Sequence, residues 1–129
     1  MSPYRLSAVA ALALVAPTTS PAQPAQHAVA AQAIDVWSFG YAPRPIHLRA
    51  GQPVTLTFVN RSNGGHDFTA RAFFASSRIL AGAAPGGKVG LPPGQARSIT
   101  LVPRAGSYPV HCSHFLHKQF GMEDRILVH

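Results

Sequence analysis

Apolar and polar residues alternate over much of the chain, and glycine or proline interrupts the alternation about every eight to twelve residues. The segment Val54–Asn60 shows the pattern most clearly, because Val54, Leu56 and Phe58 fall on one face and the two threonines between them fall on the other. Period-two alternation bounded by turn residues is typical of short antiparallel strands in a sandwich or barrel. The pattern therefore predicts an all-β protein.

Other segments extend this prediction to the whole domain. Segment 72–81 has apolar residues at mixed spacing, which predicts either a short helix or a wrapped loop. The remaining predicted strands are 34–39, 45–49, a strand that begins at 66–69, 88–91, 95–102, 107–112 and 125–128. Seven or eight strands without an internal repeat favour a Greek-key β-sandwich over folds that need crossover helices.

The N-terminus has the composition of a secretory signal peptide. Arg5 precedes an apolar run over residues 6–17, and the small residues around Ala22 suit cleavage by a signal peptidase. The run is about half as long as the roughly 20 residues that span a bilayer, so we expect no stable membrane insertion once it is removed. We expect three parts: residues 1–22 as the signal peptide, 23–32 as a flexible leader, and 33–129 as one domain.

Export makes the single cysteine, Cys112, informative. One cysteine cannot form an internal disulfide, so in an oxidising compartment such as the bacterial periplasm it is buried, paired with another molecule or bound to a metal. Which of these states Cys112 adopts decides what kind of protein this is.

The charge balance is basic, with 11 Lys and Arg residues against 4 Asp and Glu residues. Removal of Arg5 with the signal peptide leaves a net charge of +6. The basic residues are scattered singly and do not form the clusters that follow a phosphate backbone, which argues against a nucleic-acid partner. A protein docking surface, which would be acidic, or an anionic lipid is the partner that the charge favours.

Cys112 begins the strongest motif of the sequence, C-x4-H-x4-M, which adds His117 and Met122 within one loop. Thiolate and thioether sulfur select copper(I), and two imidazoles with one thiolate and a weak axial Met form the blue-copper arrangement. His66 is placed to supply the second imidazole, because it follows a Gly-Gly turn that allows close backbone approach. The predicted site is one copper ion bound by His66, Cys112, His117 and Met122.

Two further histidines could compete for a place in this site. His111 precedes Cys112, and strand alternation directs it to the opposite face. His114 lies two residues after Cys112, in a loop that can bend, so its participation stays open. A histidine directly before a copper-binding cysteine also binds a further copper ion in copper nitrite reductases and multicopper oxidases, although this chain lacks the additional paired histidines of those enzymes.

On these residues the sequence resembles the cupredoxin superfamily, the plastocyanin and azurin group of small blue-copper proteins. The resemblance covers nearly all of the domain, from the strand and turn before Val54, through His66, to the terminal loop with its C-x4-H-x4-M spacing. It implies a Greek-key sandwich with copper at one end. It also implies that the backbone N–H of Asp67 reaches the cysteine sulfur and that its carboxylate ties neighbouring loops, although the superfamily often has Asn at this position.

The resemblance implies a monomeric one-electron carrier and no enzyme activity. Its partner would be another redox protein, such as an acidic cytochrome or oxidase domain, which docks on an apolar rim around His117. The rim residues would be Phe115, Leu116, Phe120 and Gly121. The alternative is a copper chaperone or buffer that delivers the metal to an oxidase, and the cluster of histidines over residues 111–117 keeps this alternative open.

Overall fold

The computed structural model describes residues 3, 10–22, 28–114, 117 and 121–129. Within these residues the chain forms ten strands, β1 to β10, one short helix, α1, and one 3-10 turn at Pro85–Gly87. In chain order the strands are Ala30–Trp37, Gly40–Ala42, Ile46–Leu48, Val54–Asn60, His66–Thr69, Arg78–Ala81, Lys88–Leu91, Ala96–Val102, Gly106–His111 and Glu123–Val128, and α1 is Arg71–Ser76.

The strands form two five-stranded sheets. The first has the order β2-β1-β4-β8-β6 and the second has the order β3-β10-β9-β5-β7. The pairs β1/β4 and β3/β10 are parallel, and the other pairs are antiparallel. The predicted all-β sandwich with one short helix is confirmed.

The core lies between the sheets and is centred on Phe68. Its ring centroid is 4.6 Å from that of Phe58 and 5.4 Å from that of Tyr41, and all three side chains are almost fully buried. Burying a phenylalanine contributes about 1.5–3 kcal/mol of hydrophobic stabilisation. Phe68 is two residues from His66, so this packing fixes the strand on which the candidate ligand stands.

Two short strands, β2 and β6, add to the eight predicted ones. The segment 72–81, expected to be a helix or a loop, divides into most of α1 and the edge strand β6. All four residues of β6 are exposed, so no apolar alternation marks it in the sequence. β2 forms a tight hairpin with β1, in which Trp37 pairs with Gly40.

The domain begins earlier than expected. Strand β1 starts at Ala30, so Ala30–Gln32 belong to the sheet and not to the expected leader over 23–32. These residues pair in parallel with the start of β4. Backbone pairing places them in the sheet, although their small side chains show no alternation that predicts a strand. The leader residues 23–27 lie outside the described residues.

The signal peptide over residues 1–22 stays a prediction. Of that segment the structure describes residue 3 and residues 10–22, which form neither helix nor strand and are exposed. Among the described residues, no helix has both the length and the apolar character that a membrane crossing requires.

Candidate metal centre

The second sheet brings the four candidate ligands to one end of the sandwich. His66 begins β5, Cys112 directly follows β9, and β9 is the neighbour of β5 in the sheet. Met122 directly precedes β10, which is the other neighbour of β9, and His117 lies in the loop between β9 and β10. Adjacent strand ends therefore hold three of the residues, and the connecting loop holds the fourth.

Three ligand atoms converge on one point. The Nδ1 atom of His117 lies 3.2 Å from Nδ1 of His66 and 3.3 Å from Sγ of Cys112, and all three atoms lie within 4.8 Å of one another. Ligand atoms on one ion lie about 3 to 3.8 Å apart when the metal–ligand bonds are about 2.0–2.3 Å long. A ring nitrogen carries at most one proton and cannot donate to both neighbours, whereas one metal ion would accept all three lone pairs.

Burial sets the protonation of these groups. Burial lowers the pKa of His66, and positive charge on His117 or His114 lowers it further, so His66 favours the neutral form that binds metals. Burial raises the pKa of the Cys112 thiol, although the backbone N–H groups of His114 and Asp67 donate to its sulfur and oppose this. A bound cation would favour the thiolate and offset the effect of burial.

Backbone hydrogen bonds close the ligand loop between β9 and β10. The N–H of Cys112 donates to the carbonyl of Met122 at 3.1 Å, and the N–H of Met122 donates to the carbonyl of His117 at 3.0 Å. Gly121, with a φ of +89°, turns the chain between them. Met122 is fully buried beside Cys112, and its sulfur as an axial ligand stays a prediction.

Asp67 joins the two halves of the site. Its carboxylate accepts hydrogen bonds from the Thr69 hydroxyl at 2.7 Å, the Ser113 backbone N–H at 2.9 Å and the Ser113 hydroxyl. Burial opposes ionisation, but these hydrogen bonds outweigh it and lower the pKa of Asp67. The expected role of the Asp67 carboxylate is confirmed, since it ties β5 to the ligand loop, and the backbone N–H of Asp67 acts to lower the pKa of the Cys112 thiol.

Asn60 holds the turn that precedes His66. Its buried side-chain amide donates to the carbonyls of Gly64 and Leu91 at 2.8 and 2.9 Å, and its side-chain oxygen accepts from the backbone N–H and the hydroxyl of Ser62. The turn between β4 and β5 is therefore tied to β7. An Asn at the end of a strand is a common turn residue, and its sequence position alone does not reveal this role.

His114 lies next to the cluster without belonging to its central group. Its Nε2 is 3.7 Å from a carboxylate oxygen of Asp67, its side chain is 44% exposed, and its ring stacks on that of His117 with 5.2 Å between centroids. Asp67, Cys112 and His114 form a second group whose potential ligand atoms lie within 4.8 Å of one another. The two groups share Cys112.

Three other histidines that the structure describes lie away from the central group. His111 is partly exposed, as strand alternation predicted from the burial of Cys112, and it lines a groove with Glu123. His47 and His129 are both exposed.

Sequence reasoning missed Phe39, an aromatic residue beside His117, and the exposed Trp37 two positions before it. The edge of the Phe39 ring packs against the imidazole of His117, with 5.3 Å between centroids and an interplanar angle of 89°. Phe39 has a φ of +67°, which is rare for a residue with a bulky side chain, and Trp37 lies across Gly40, where an added Cβ would come within 2.7 Å of the indole. Phe39 and Trp37 are 42% and 41% exposed. No sequence signal indicates the long-range contact with His117.

The expected apolar rim falls mainly on residues that the structure leaves undescribed. Phe115, Leu116 and Phe120 lie outside the described residues, and Gly121 is partly exposed. Phe39, which contacts His117, supplies apolar surface at this end of the domain from a different part of the chain.

The donor set indicates which metal fits. Two imidazole nitrogens and one thiol sulfur converge, and the central group contains no carboxylate. The buried Met122 is joined to Cys112 by a backbone hydrogen bond. Zinc sites rarely include methionine, whereas this set with a weak axial Met is the one that suits copper in both oxidation states. The residues present therefore fit one copper ion.

Comparison with known proteins supports the fold. The chain resembles the crystal structure of Na-dithionite reduced auracyanin from the photosynthetic bacterium Roseiflexus castenholzii, with 22% identity, a TM-score of 0.59, and 79% of this chain and 98% of that one covered. It also resembles auracyanin B, with 17% identity, a TM-score of 0.54, and 77% and 88% covered. At these identities the likeness shows the fold alone.

A larger protein contains a similar unit. The chain resembles part of a multicopper oxidase from Campylobacter jejuni described as a metallo-oxidase, with 11% identity, a TM-score of 0.61, and 82% of this chain but 31% of that one covered. No curated protein sequence matches significantly. The sequence model of one family, the cupredoxin-like domain, matches residues 6–123. The chain therefore belongs to the cupredoxin-like domain family.

Proposed function

We propose that the protein is a type 1 copper protein that carries single electrons between redox partners. The copper ion would be bound by His66, Cys112, His117 and, as the axial ligand, Met122. The observation that supports this most strongly is the convergence of one buried thiol and two imidazole Nδ1 atoms at 3.2 and 3.3 Å, beside a buried methionine.

The protein's contribution is to hold these groups in place. A copper ion bound here would supply one-electron chemistry by alternating between Cu(I) and Cu(II). Asp67 and Asn60 restrain the two segments that carry the ligands, so the ligands need to move little when the charge changes. Burial of His66 and Cys112 excludes water, and the half-buried His117 imidazole is the group that faces a partner.

The partner is proposed to be an acidic redox protein, such as a cytochrome or an oxidase domain. Two of the four acidic side chains, Asp67 and Asp124, are 3% and 7% exposed, so the surface is more basic than the composition suggests. Phe39 adds exposed aromatic surface beside His117, and Trp37, two residues before it, is also exposed. Electron transfer to such a partner should slow as salt rises, and a rate independent of salt would contradict the electrostatic part of the proposal.

Export is part of the same proposal. The signal-like segment over residues 1–22 supports secretion, into the periplasm if the source is bacterial. The mass and N-terminal sequence of the protein recovered from its native host test this point. A mature chain that starts near Gln23 in the exported fraction is expected, and an intact chain that remains in the cytoplasm would contradict it.

The deciding experiment is to load the protein with copper(II) and record its visible and electron paramagnetic resonance spectra. An intense thiolate-to-copper charge-transfer band is expected in the native protein and should be absent in the control variant Cys112→Ser. A native protein without the band, or a variant that keeps it, would refute the site. Reversible voltammetry of the loaded protein then tests the carrier function.

One observation favours copper delivery as a second candidate function. The group Asp67, Cys112 and His114 overlaps the central group, and the His114 side chain is 44% exposed. An exposed imidazole beside a shared thiolate could receive or release copper stepwise. If delivery is the function, His114→Gln should slow copper transfer to an external chelator without changing the visible band, and an unchanged transfer rate would leave the carrier function as the better account.

A further inference from the structure

A second pair of histidines lies at the other end of the second sheet. His47 is the middle residue of β3, and His129 directly follows β10, which pairs in parallel with β3. Nδ1 of His47 lies 3.1 Å from Nε2 of His129, and the rings are nearly parallel, with 5.3 Å between centroids. The residues are 82 positions apart in sequence, so the fold alone creates this pair.

The backbone fixes both residues. The N–H of His129 donates to the carbonyl of Leu48 at 3.1 Å, and the carbonyl of His129 accepts from the N–H of Ala50 at 2.7 Å. His47 lies between the buried residues Ile46 and Leu48, so strand alternation directs its imidazole to solvent. The two rings therefore share one exposed position on a rigid framework.

The separation of the nitrogens suits a metal ion. Two imidazole nitrogens on one ion at about 2.0–2.1 Å, with an angle between about 90° and 109°, lie about 2.9 to 3.4 Å apart. Without a metal the pair can share one proton, but an exposed hydrogen bond of this kind competes with water and contributes little net stability. A metal ion could take the place of this hydrogen bond once the two rings turn so that both nitrogens face it, with the backbone unmoved.

The surroundings determine which ions fit. His47 lines a groove that also contains Gln32, Arg49 and Gln52, and none of the described residues lining it is acidic. Without acidic side chains in the groove, the position suits calcium and magnesium poorly, because these ions prefer several oxygen ligands. Imidazole suits copper(II), nickel(II) and zinc(II), and affinity is highest for copper(II).

From these observations we propose that His47 and His129 form a second, solvent-accessible site for a divalent transition-metal ion, preferably copper(II), with water as the remaining ligands. Strand β10 separates it from the first site, so Met122 and His129 lie roughly 20 Å apart at about 3.3 Å per residue. Because the second site contains no thiolate, a copper ion there should lack the intense visible band.

The test is a copper(II) titration of the native protein, followed by electron paramagnetic resonance. After the first equivalent is bound, a second equivalent should give a distinct signal with imidazole nitrogen coupling and no added thiolate band. Dipolar coupling between the two ions should report a separation of roughly 20 Å. The signal should disappear in His47→Gln and in His129→Gln, while the spectrum of the first site stays unchanged and shows that both variants fold.

His111→Gln is the matched control, because it removes a partly exposed imidazole outside the pair. This variant should keep the second signal. A second signal that persists in His47→Gln, or that disappears in His111→Gln, would overturn the proposal, as would the absence of a second bound ion. Loss of the thiolate band alone would instead refute the first site, so failure of either assignment can be recognised separately.

Discussion

The molecule contains two histidine pairs with nearly the same spacing and very different surroundings. The ring nitrogens of His66 and His117 are 3.2 Å apart at one end of the second sheet, and those of His47 and His129 are 3.1 Å apart at the other end. The first pair is accompanied by the buried thiol of Cys112, whereas the second is exposed. The separation of the nitrogens therefore does not distinguish the two pairs.

What differs is what the protein places around each pair. At the first pair, burial favours neutral His66, and Asp67 restrains the loop that carries Cys112 and His117. Ligands held in this way keep one geometry in both oxidation states of a metal. At the exposed pair, water molecules can complete the coordination and exchange freely. The first end is thus suited to electron transfer, and the second to binding alone.

The largest effect is expected for Cys112→Ser, which leaves the first pair, like the second, without a thiol. The variant keeps both imidazoles of the first pair but loses the soft sulfur that favours copper(I). Copper(I) retention against a competing chelator should fall by more than about 100-fold, since even the loss of an outer hydrogen-bonding partner of a ligand costs about 10- to 100-fold. His47→Gln should leave retention unchanged, and a Cys112→Ser protein that holds copper(I) as well as the native one would contradict this.

The next effect concerns Asp67, the buried carboxylate beside the first pair. Asp67→Ala leaves the Ser113 backbone N–H, the Ser113 hydroxyl and the Thr69 hydroxyl without their acceptor, so we expect the free energy of unfolding to fall by about 3 kcal/mol. Asp35→Ala is the matched control, because Asp35 is 41% exposed and pairs with exposed Arg61 at 3.0 Å. It should cost less than about 1 kcal/mol.

Denaturant unfolding of the metal-free protein measures both changes. Equal losses from the buried and the exposed carboxylate would show that Asp67 does not restrain the site. A larger loss for Asp67→Ala than for Asp35→Ala would sharpen the distinction between the supported pair and the exposed one.

Sequence patterns predicted the parts of this structure that local order determines. The alternation in Val54–Asn60 identified a central strand, because one face of it packs in the core. The C-x4-H-x4-M spacing placed Cys112, His117 and Met122 in one loop. The Gly-Gly turn and the family resemblance predict His66 as a ligand of the same site, and the sheet brings it to the same end of the domain.

Contacts between distant segments could not be predicted in this way. The alanine-rich start of β1 shows no apolar period, and its place in the sheet comes from pairing with β4. The contact between Phe39 and His117 depends on a hairpin turn with a positive φ, and His47 meets His129 only because β3 and β10 are adjacent. Such juxtapositions follow from topology, which one-dimensional patterns do not encode.

A third expectation concerns acid, which should destabilise the metal-free first site in two separate ranges. The pKa of His66 is lowered on folding, so stability should begin to fall as the pH drops below about 6.5, the ordinary value, and the loss ends below the folded-state pKa. The pKa of Asp67 is also lowered, so its contribution is complete above about pH 4 and is lost as the pH falls through its lower folded-state pKa.

Unfolding measured as a function of pH tests both ranges. Asp67→Asn should flatten the lower range and leave the upper one in place, because only the carboxylate has been replaced. A variant with the same acid dependence as the native protein below about pH 4 would show that Asp67 does not contribute there.

The smallest effect concerns Phe39, which covers His117 at the first pair. Replacing it by alanine removes the edge-to-face contact, worth about 0.5–1.5 kcal/mol, but keeps the left-handed backbone conformation. Replacing it by glycine also removes the ring but relieves the strain of the positive φ. The left-handed conformation costs a residue with a side chain about 1–2 kcal/mol. The free energy of unfolding, measured with denaturant, should therefore be about 1 kcal/mol higher for Phe39→Gly than for Phe39→Ala. If the two variants are equally stable, the positive φ at this position imposes no backbone cost, and the ring contact with His117 is the contribution that remains.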